Sequence, residues 1–417
     1  MSPSSQDRLK RSAIEFGESV RKRALSLTAE GRDANQIAKI LCDTDAVGHN
    51  YGIGIVLDSD GQAMTSSETI LKYTLREIKD SRRGNYQSST AIIEDLKTAV
   101  LKWQRIPEAL WEQFLLILPS DAGTGAVKSA VDLGLRLNKK VISIGVEELG
   151  WPAYSAIAQS CRIGCQQFPT DCVIENDAIL PIYQAGPMNT TGRVTAASVL
   201  RERATAAAAR SCPVILDRAY PGFEFSGRLE AKGYDAVMKM SYQGQIAPFV
   251  GTKTPFLIPI SPTKCFRSFA LRPAGMLLAY IPDEATRGEI STLAAVLMRA
   301  RGCSFEHPVT RAFAKALVSD LPALEREHTQ VLKRLAKTEG LWASLTRNTP
   351  IEHLFSESYS GLFRNPRSHQ DSDIVLYGQH IYPVFTDGRC RINITGLPGD
   401  EELQREHIGV FARTCFE

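Results

Sequence analysis

Between residues 114 and 260 the chain alternates short apolar runs with longer stretches of helical periodicity. No other feature constrains the fold as much. Phe114 to Leu118 is an apolar run ended by Pro119, and Gly125 to Leu137 then reads as a helix. Lys140 to Gly145, Cys172 to Ile174 and Ile179 to Tyr183 are further short runs, and Ala196 to Arg210 is Ala-rich and helical. Pro213 to Leu216 ends at Asp217, and Pro255 to Ile260 ends just before Ser261. Strands alternating with helices predict an α/β domain with a mostly parallel sheet.

From about Asp283 the pattern turns helical. A long charged helix is expected within Asp320 to Glu339, stopping at Gly340. Short strands are then expected at Trp342 to Leu345, His380 to Phe385 and Arg391 to Thr395, with a final helix from Asp400. These make a smaller α+β domain, and a length of 417 residues asks for two domains. Met1 to Arg23 is polar and basic without an apolar stretch, so it reads as a frayed helical extension and not as a secretory signal.

The function classes narrow by exclusion. A net charge of +3 gives no argument for nucleic acid or an anionic membrane. No apolar run approaches the roughly 20 residues that span a bilayer. The nine cysteines are odd in number and scattered, and no histidine cluster completes a zinc site beside Cys161, Cys165 and Cys172. Reduced thiols in a cytoplasmic, metal-free protein are the expectation.

Four polar signals fall at predicted strand ends, where open α/β sheets bind their ligands. Ser120 to Ala126 (SDAGTGA) is small and leads into a helix, so it is either a phosphate cradle or a plain tight turn. Asp217 closes a buried strand, where a carboxylate needs a cationic or hydrogen-bonding partner. A protonated pyridine nitrogen is one such partner; a helix cap or an ion pair would serve as well. Lys264, in Ser261-Pro262-Thr263-Lys264, is either a Schiff-base amine with Ser261 and Arg272 as phosphate donors or an ordinary loop lysine. Arg391 opens the last strand pattern, where it could fork onto a carboxylate or simply face solvent.

Order and spacing add to these single features. The chain resembles the fold-type I, pyridoxal-phosphate-dependent aminotransferases, in particular the aspartate and aromatic aminotransferase subgroup. The resemblance is carried by YGIGIVLDSDG (Tyr51 to Gly61), GTGA (Gly123 to Ala126), Trp151-Pro152, NTTG (Asn189 to Gly192) and DRAYPGF (Asp217 to Phe223). It continues through SPTK with Arg272 eight residues on, GLWASL (Gly340 to Leu345), HIY (His380 to Tyr382) and RINITGL (Arg391 to Leu397). It runs collinearly over about residues 45–415. The departures are the missing proline of NTTG, Cys265 after the lysine, the changed segment between Lys264 and Arg272, a small insertion at Arg389-Cys390, and Tyr154 where the family has a histidine near the cofactor acid.

The resemblance implies a large domain with a mostly parallel, seven-stranded sheet flanked by helices, and a smaller α+β domain. Residues 1–63 would be an N-terminal extension and part of the small domain, 64–330 the large cofactor-binding domain, and 331–417 the rest of the small domain. It implies that Lys264 carries pyridoxal 5'-phosphate and shuttles the reaction proton, with Asp217 on the ring nitrogen and Tyr220 and Asn189 on the ring oxygen. Trp151 would stack on the ring, and Gly123, Thr124, Ser261 and Arg272 would hold the phosphate. Gly54 and Arg391 would meet the substrate, Arg391 at the α-carboxylate. Tyr86 resembles the tyrosine that serves the neighbouring subunit of a homodimer. Arg301, with Arg299 as its near alternative, is the candidate for the distal carboxylate of an acidic substrate. The implied reaction moves an amino group between an acidic or aromatic L-amino acid and a 2-oxo acid such as 2-oxoglutarate. The alternatives are another reaction of the same fold (elimination, decarboxylation or carbon–carbon bond formation) and a non-enzymatic cofactor sensor. No helix-turn-helix domain is attached to support the sensor.

Overall fold

The computed structural model describes residues 5–80, 88–117, 122–302 and 306–416. The chain divides into two compact units. A central unit comprises Thr65–Met188 and Val194–Lys333, and a terminal unit comprises Met1–Met64, Asn189–Arg193 and Arg334–Glu417.

The central unit is built on a seven-stranded sheet. Its strands are β1 (Phe114–Ile117), β2 (Ser143–Glu147), β3 (Gly164–Phe168), β4 (Ile179–Gln184), β5 (Val214–Asp217), β6 (Phe256–Ile260) and β7 (Met276–Tyr280). They lie side by side in the order β1-β7-β6-β5-β4-β2-β3. Only β7 runs against its neighbours, pairing Ile258 with Leu278 on one side and Leu116 with Leu278 on the other. Every residue of β2, β4, β5, β6 and β7 is buried. Strands buried on both faces are expected to read as largely apolar runs, and β4 to β7 do. Val127, Val131 and Leu133 of helix Ala122–Leu137 pack into one cluster with Ile144, Ile182, Ile215, Leu257 and Leu277 from the strands.

Two strands of this sheet escape the sequence reading. Gly164–Phe168 (GCQQF) is an edge strand with a mostly exposed face, so it carries no apolar run. The run Cys172 to Ile174, expected as a strand, is an irregular segment whose Ile174 amide donates to the Tyr183 hydroxyl instead. Met276–Tyr280 follows the lysine loop directly and was hidden by it.

In the terminal unit, strand Arg389–Asn393 pairs antiparallel with Val384–Thr386, Arg367–Ser368 and Phe363–Arg364. Helix Glu401–Thr414 starts at Asp400, whose side chain accepts from the Leu403 amide. The expected strand at Trp342 to Leu345 is instead the end of helix Leu321–Leu345, which passes through Gly340 without stopping. Gly340 costs a helix about 1 kcal/mol. The fully buried Trp342 outweighs it by stacking on Phe355 and donating to the Ile394 carbonyl. Among the described residues of the N-terminal segment, expected as a frayed extension, Ser5–Ala29 is one helix lying against Ser372–Gly378. A Cβ at Gly17 would sit 2.1 Å from the Ile374 oxygen, so only glycine allows this approach. Arg21 ties the pair through Asp371 and Asp373, each at 2.7 Å. No helix among the described residues is long and apolar enough to cross a membrane.

Candidate active site

The carboxyl ends of the parallel strands in the central unit gather the chemistry. β5 ends in Asp217, which is only 9% exposed, and β6 runs straight into Ser261. Pro262 opens the one-turn helix Pro262–Cys265, its fixed φ suiting a first helical position. This turn holds the half-buried Lys264 between the buried Thr263 and Cys265. The Lys264 Nζ lies 5.9 Å from the centre of the buried Tyr220 ring and 5.8 Å from that of Phe269.

Electrostatics link the carboxylate and the amine. Burial pushes the Asp217 carboxyl up to about 6, opposed by a hydrogen bond from Tyr154 and by the Lys264 charge. Burial pulls Lys264 below the ordinary lysine range, and the Arg272 charge adds to that, while Asp217 opposes it. A lysine so placed is more readily the free amine, the form that attacks a carbonyl. Tyr154 donates to Asp217 Oδ2 at 2.6 Å. Its ring meets Trp151 edge-on, with centroids 5.2 Å apart.

Beside this centre, helix Ala122–Leu137 begins against the Ser261 loop. A Cβ on Gly123 would come within 2.6 Å of the Ser261 Cβ, so the approach needs glycine there. Ser261 Oγ and Thr263 Oγ1 share a hydrogen bond of 2.8 Å. Thr124 is exposed on the first turn of that helix. Arg272 is exposed, with its amide bonded to the Ser268 carbonyl. Behind the strand end, the buried Arg218 holds the DRAYPGF turn, donating to Gln104 at 2.5 Å and to Ser241 at 2.7 Å. A hydrogen bond to such a buried charge is worth about 1.5–3 kcal/mol.

The terminal unit holds a second centre. Arg391, buried on Arg389–Asn393, donates to the Gly52 carbonyl at 2.7 Å and to Asn35 Oδ1 at 2.5 Å. Its guanidinium lies 4.8 Å from the Phe363 ring centre. Gly54 faces the same ring: a Cβ there would be 3.8 Å from the Phe363 Cζ. Asn189 is half-buried on the short segment Asn189–Arg193 of this unit.

Arg301 ends helix Glu284–Gly302 in the central unit, and both its terminal nitrogens go to Glu306. Glu306 also accepts from Ser89 Oγ at 2.6 Å and is 4% exposed. Arg299 is exposed. Tyr86 lies outside the described residues. Sequence reasoning noted Tyr154 only as a departure and passed over Glu306 and Asn35. For Glu306, a carboxylate five residues after Arg301 was the available signal.

The aminotransferase class I and II family matches residues 52–348. The chain belongs to that family. This aminotransferase is similar in fold to the aromatic amino acid aminotransferase of Burkholderia cenocepacia, with a TM-score of 0.73 and 17% identity over 89% of this chain and 94% of the other. It is also similar to the cytoplasmic aspartate aminotransferase of Saccharomyces cerevisiae (TM-score 0.72, 17% identity, 92% and 96% covered). A third similar structure is the Burkholderia pseudomallei aromatic-amino-acid aminotransferase covalently bound to pyridoxal phosphate (TM-score 0.72, 17% identity, 91% and 96% covered). No curated protein matches the aminotransferase by sequence. Its fold is type I, and it is a pyridoxal-phosphate-dependent transaminase. The central unit fits that cofactor. A buried carboxylate pushed up to about 6 would gain from a cationic ring nitrogen, and Gly123, close against Ser261, stands at the start of helix Ala122–Leu137, where backbone amides suit a phosphate.

Proposed function

We propose that the chain moves an amino group between an aromatic or acidic L-amino acid and a 2-oxo acid such as 2-oxoglutarate. The observation that carries this reading is the placement of Asp217 at the end of β5 and of Lys264 on the turn that follows its neighbour β6, where each charge acts on the other. Pyridoxal phosphate, when bound, supplies a conjugated ring that draws electrons from the substrate's Cα. Asp217 would keep the ring nitrogen protonated, and Tyr220 and Asn189 would donate to the ring oxygen. Gly123, Thr124, Ser261 and Arg272 would hold the phosphate, and Trp151 would lie against the ring. Lys264 would take up and return the proton of the substrate's Cα. Arg391 fixes the α-carboxylate, and Gly54 leaves space beside it.

An aromatic donor is supported over an acidic one by the ion pair of Arg301 with Glu306, which occupies both ends of the guanidinium fork. Two variants test the substrate contacts. Arg391→Lys should lower kcat/KM for aromatic and acidic donors alike, by roughly 10-fold or more, because lysine lacks the planar fork. Glu306→Gln should raise kcat/KM for an acidic donor relative to an aromatic one, while Arg301→Ala should leave that ratio within about threefold of wild type, less than one ordinary hydrogen bond is worth. A selective loss of acidic donors in Arg301→Ala would sink the aromatic preference.

A homodimer with shared sites belongs to the same proposal, motivated by Tyr86. Sedimentation of the holoenzyme should show two chains per particle, and a fully active monomer would refute it. A cytoplasmic setting is supported by the eight described cysteines, all of them free thiols.

A further inference from the structure

We propose that Tyr154 is a positioning residue that acts through Asp217: its hydroxyl, 2.6 Å from Oδ2, keeps that carboxylate an aimed anion at neutral pH. The inference rests on the reading of Asp217 as the partner of the cofactor's ring nitrogen. Tyr154 sits on helix Ala153–Ser160 and is 2% exposed, packed in the apolar cluster between helices and sheet. A phenylalanine would fill that cluster and meet Trp151 edge-on just as well. The hydroxyl is therefore the part that packing does not explain, and a buried hydroxyl is costly unless bonded. Its bond goes to the carboxylate at the end of β5.

Among the described residues, the charged and titratable groups facing this pair are few. Lys264, from the turn after β6, acts on Asp217, and Arg272 acts on Lys264. Glu147 at the end of β2 and Tyr220 after β5 act on Tyr154. Glu147 is itself paired to the buried Arg203 at 2.8 Å. Burial holds the Tyr154 phenol well above its ordinary value, and the Asp217 charge adds to this. The donor thus stays protonated throughout the working pH range. The one group of the pair that titrates near neutrality is Asp217, whose carboxyl stands at about 6 with the hydrogen bond in place. Without that bond its titration moves up, into the range where the site must work.

The test reads Asp217 directly, in the full-length chain freed of cofactor. Carbon-13 NMR of labelled aspartate, assigned through Asp217→Asn, gives the carboxyl midpoint in wild type, Tyr154→Phe and Tyr154→His. A hydrogen bond to a charged group corresponds to a shift of about one to two pH units. Tyr154→Phe should raise the midpoint by that amount, and Tyr154→His, which restores a donor, should bring it back down. An unmoved midpoint in a folded Tyr154→Phe chain would overturn the inference, as would a raised midpoint that histidine does not lower. The affinity for pyridoxal phosphate against pH gives a separate readout. Its acid limb should move with the carboxyl midpoint in each variant. If the midpoint moves and the affinity does not, the role of Tyr154 on Asp217 stands, and the role of Asp217 toward the cofactor fails.

Discussion

Lys264→Ala should abolish transamination. Lys264 is asked to do two things: to bind the cofactor covalently as an amine, and to carry the proton that the reaction moves. General acid–base catalysis alone contributes about 10²–10⁴-fold, so kcat should fall by at least the upper end of that range. The surroundings support the assignment. Burial and the Arg272 charge both favour the neutral amine, opposed by Asp217 at the neighbouring strand end and by the adjacent Cys265. The variant should remain folded, because Lys264 is half-buried on a four-residue turn whose neighbours Thr263 and Cys265 carry the packing. Borohydride treatment of the wild-type holoenzyme should fix the cofactor to one peptide, the one containing Lys264. Label on any other lysine, or measurable turnover in Lys264→Ala, would remove this residue from the mechanism.

Asp217→Asn should separate activity from stability. Asparagine keeps an oxygen to accept from Tyr154, yet it carries no charge to hold the ring nitrogen protonated. Loss of such an electrostatic contact in a dry site costs about 10²–10³-fold in kcat. The cofactor-free chain should respond the other way. The folded carboxyl is pushed up to about 6, whereas an unfolded aspartate titrates near 3.9. Between those values the folded chain binds more protons than the unfolded one, so this group's contribution falls as pH rises through the window. Two pKa units correspond to roughly 3 kcal/mol. Cofactor-free Asp217→Asn should therefore have a higher Tm than wild type at pH 7.5, and the gain should shrink towards pH 4. A Tm difference that is flat with pH would show that the buried charge is not what the wild type is paying for. Near-normal turnover would show that it is not catalytic.

How much of this could be read without a fold follows from where the information sits. The buried strands β4, β5 and β6 are apolar on both faces, so each is visible as a local run ended by a polar residue. The same locality exposes Asp217 and Lys264, which close β5 and follow β6. The edge strand β3 is invisible because exposure removes its apolar signature. Helix Leu321–Leu345 was cut short at Gly340 because helix propensity is local, whereas the burial of Trp342 against Phe355 and Ile394 is not.

The site divides along the same line. The amino-acid sequence alone determined which residue types stand at strand ends, and at what spacing: Asp217, Ser261, Lys264, Arg272, and Arg391 on the last long strand. Only the tertiary structure decided their partners. Tyr154 and Asp217 are 63 positions apart and meet because β5 and helix Ala153–Ser160 pack in one core. Arg391 finds Asn35 across 356 positions. Arg301 looks like a free cation in sequence and is spent on a buried glutamate in space. A charge's chemistry depends on what lies within a few ångströms and on how much water remains, and both are properties of packing that no single stretch of chain contains.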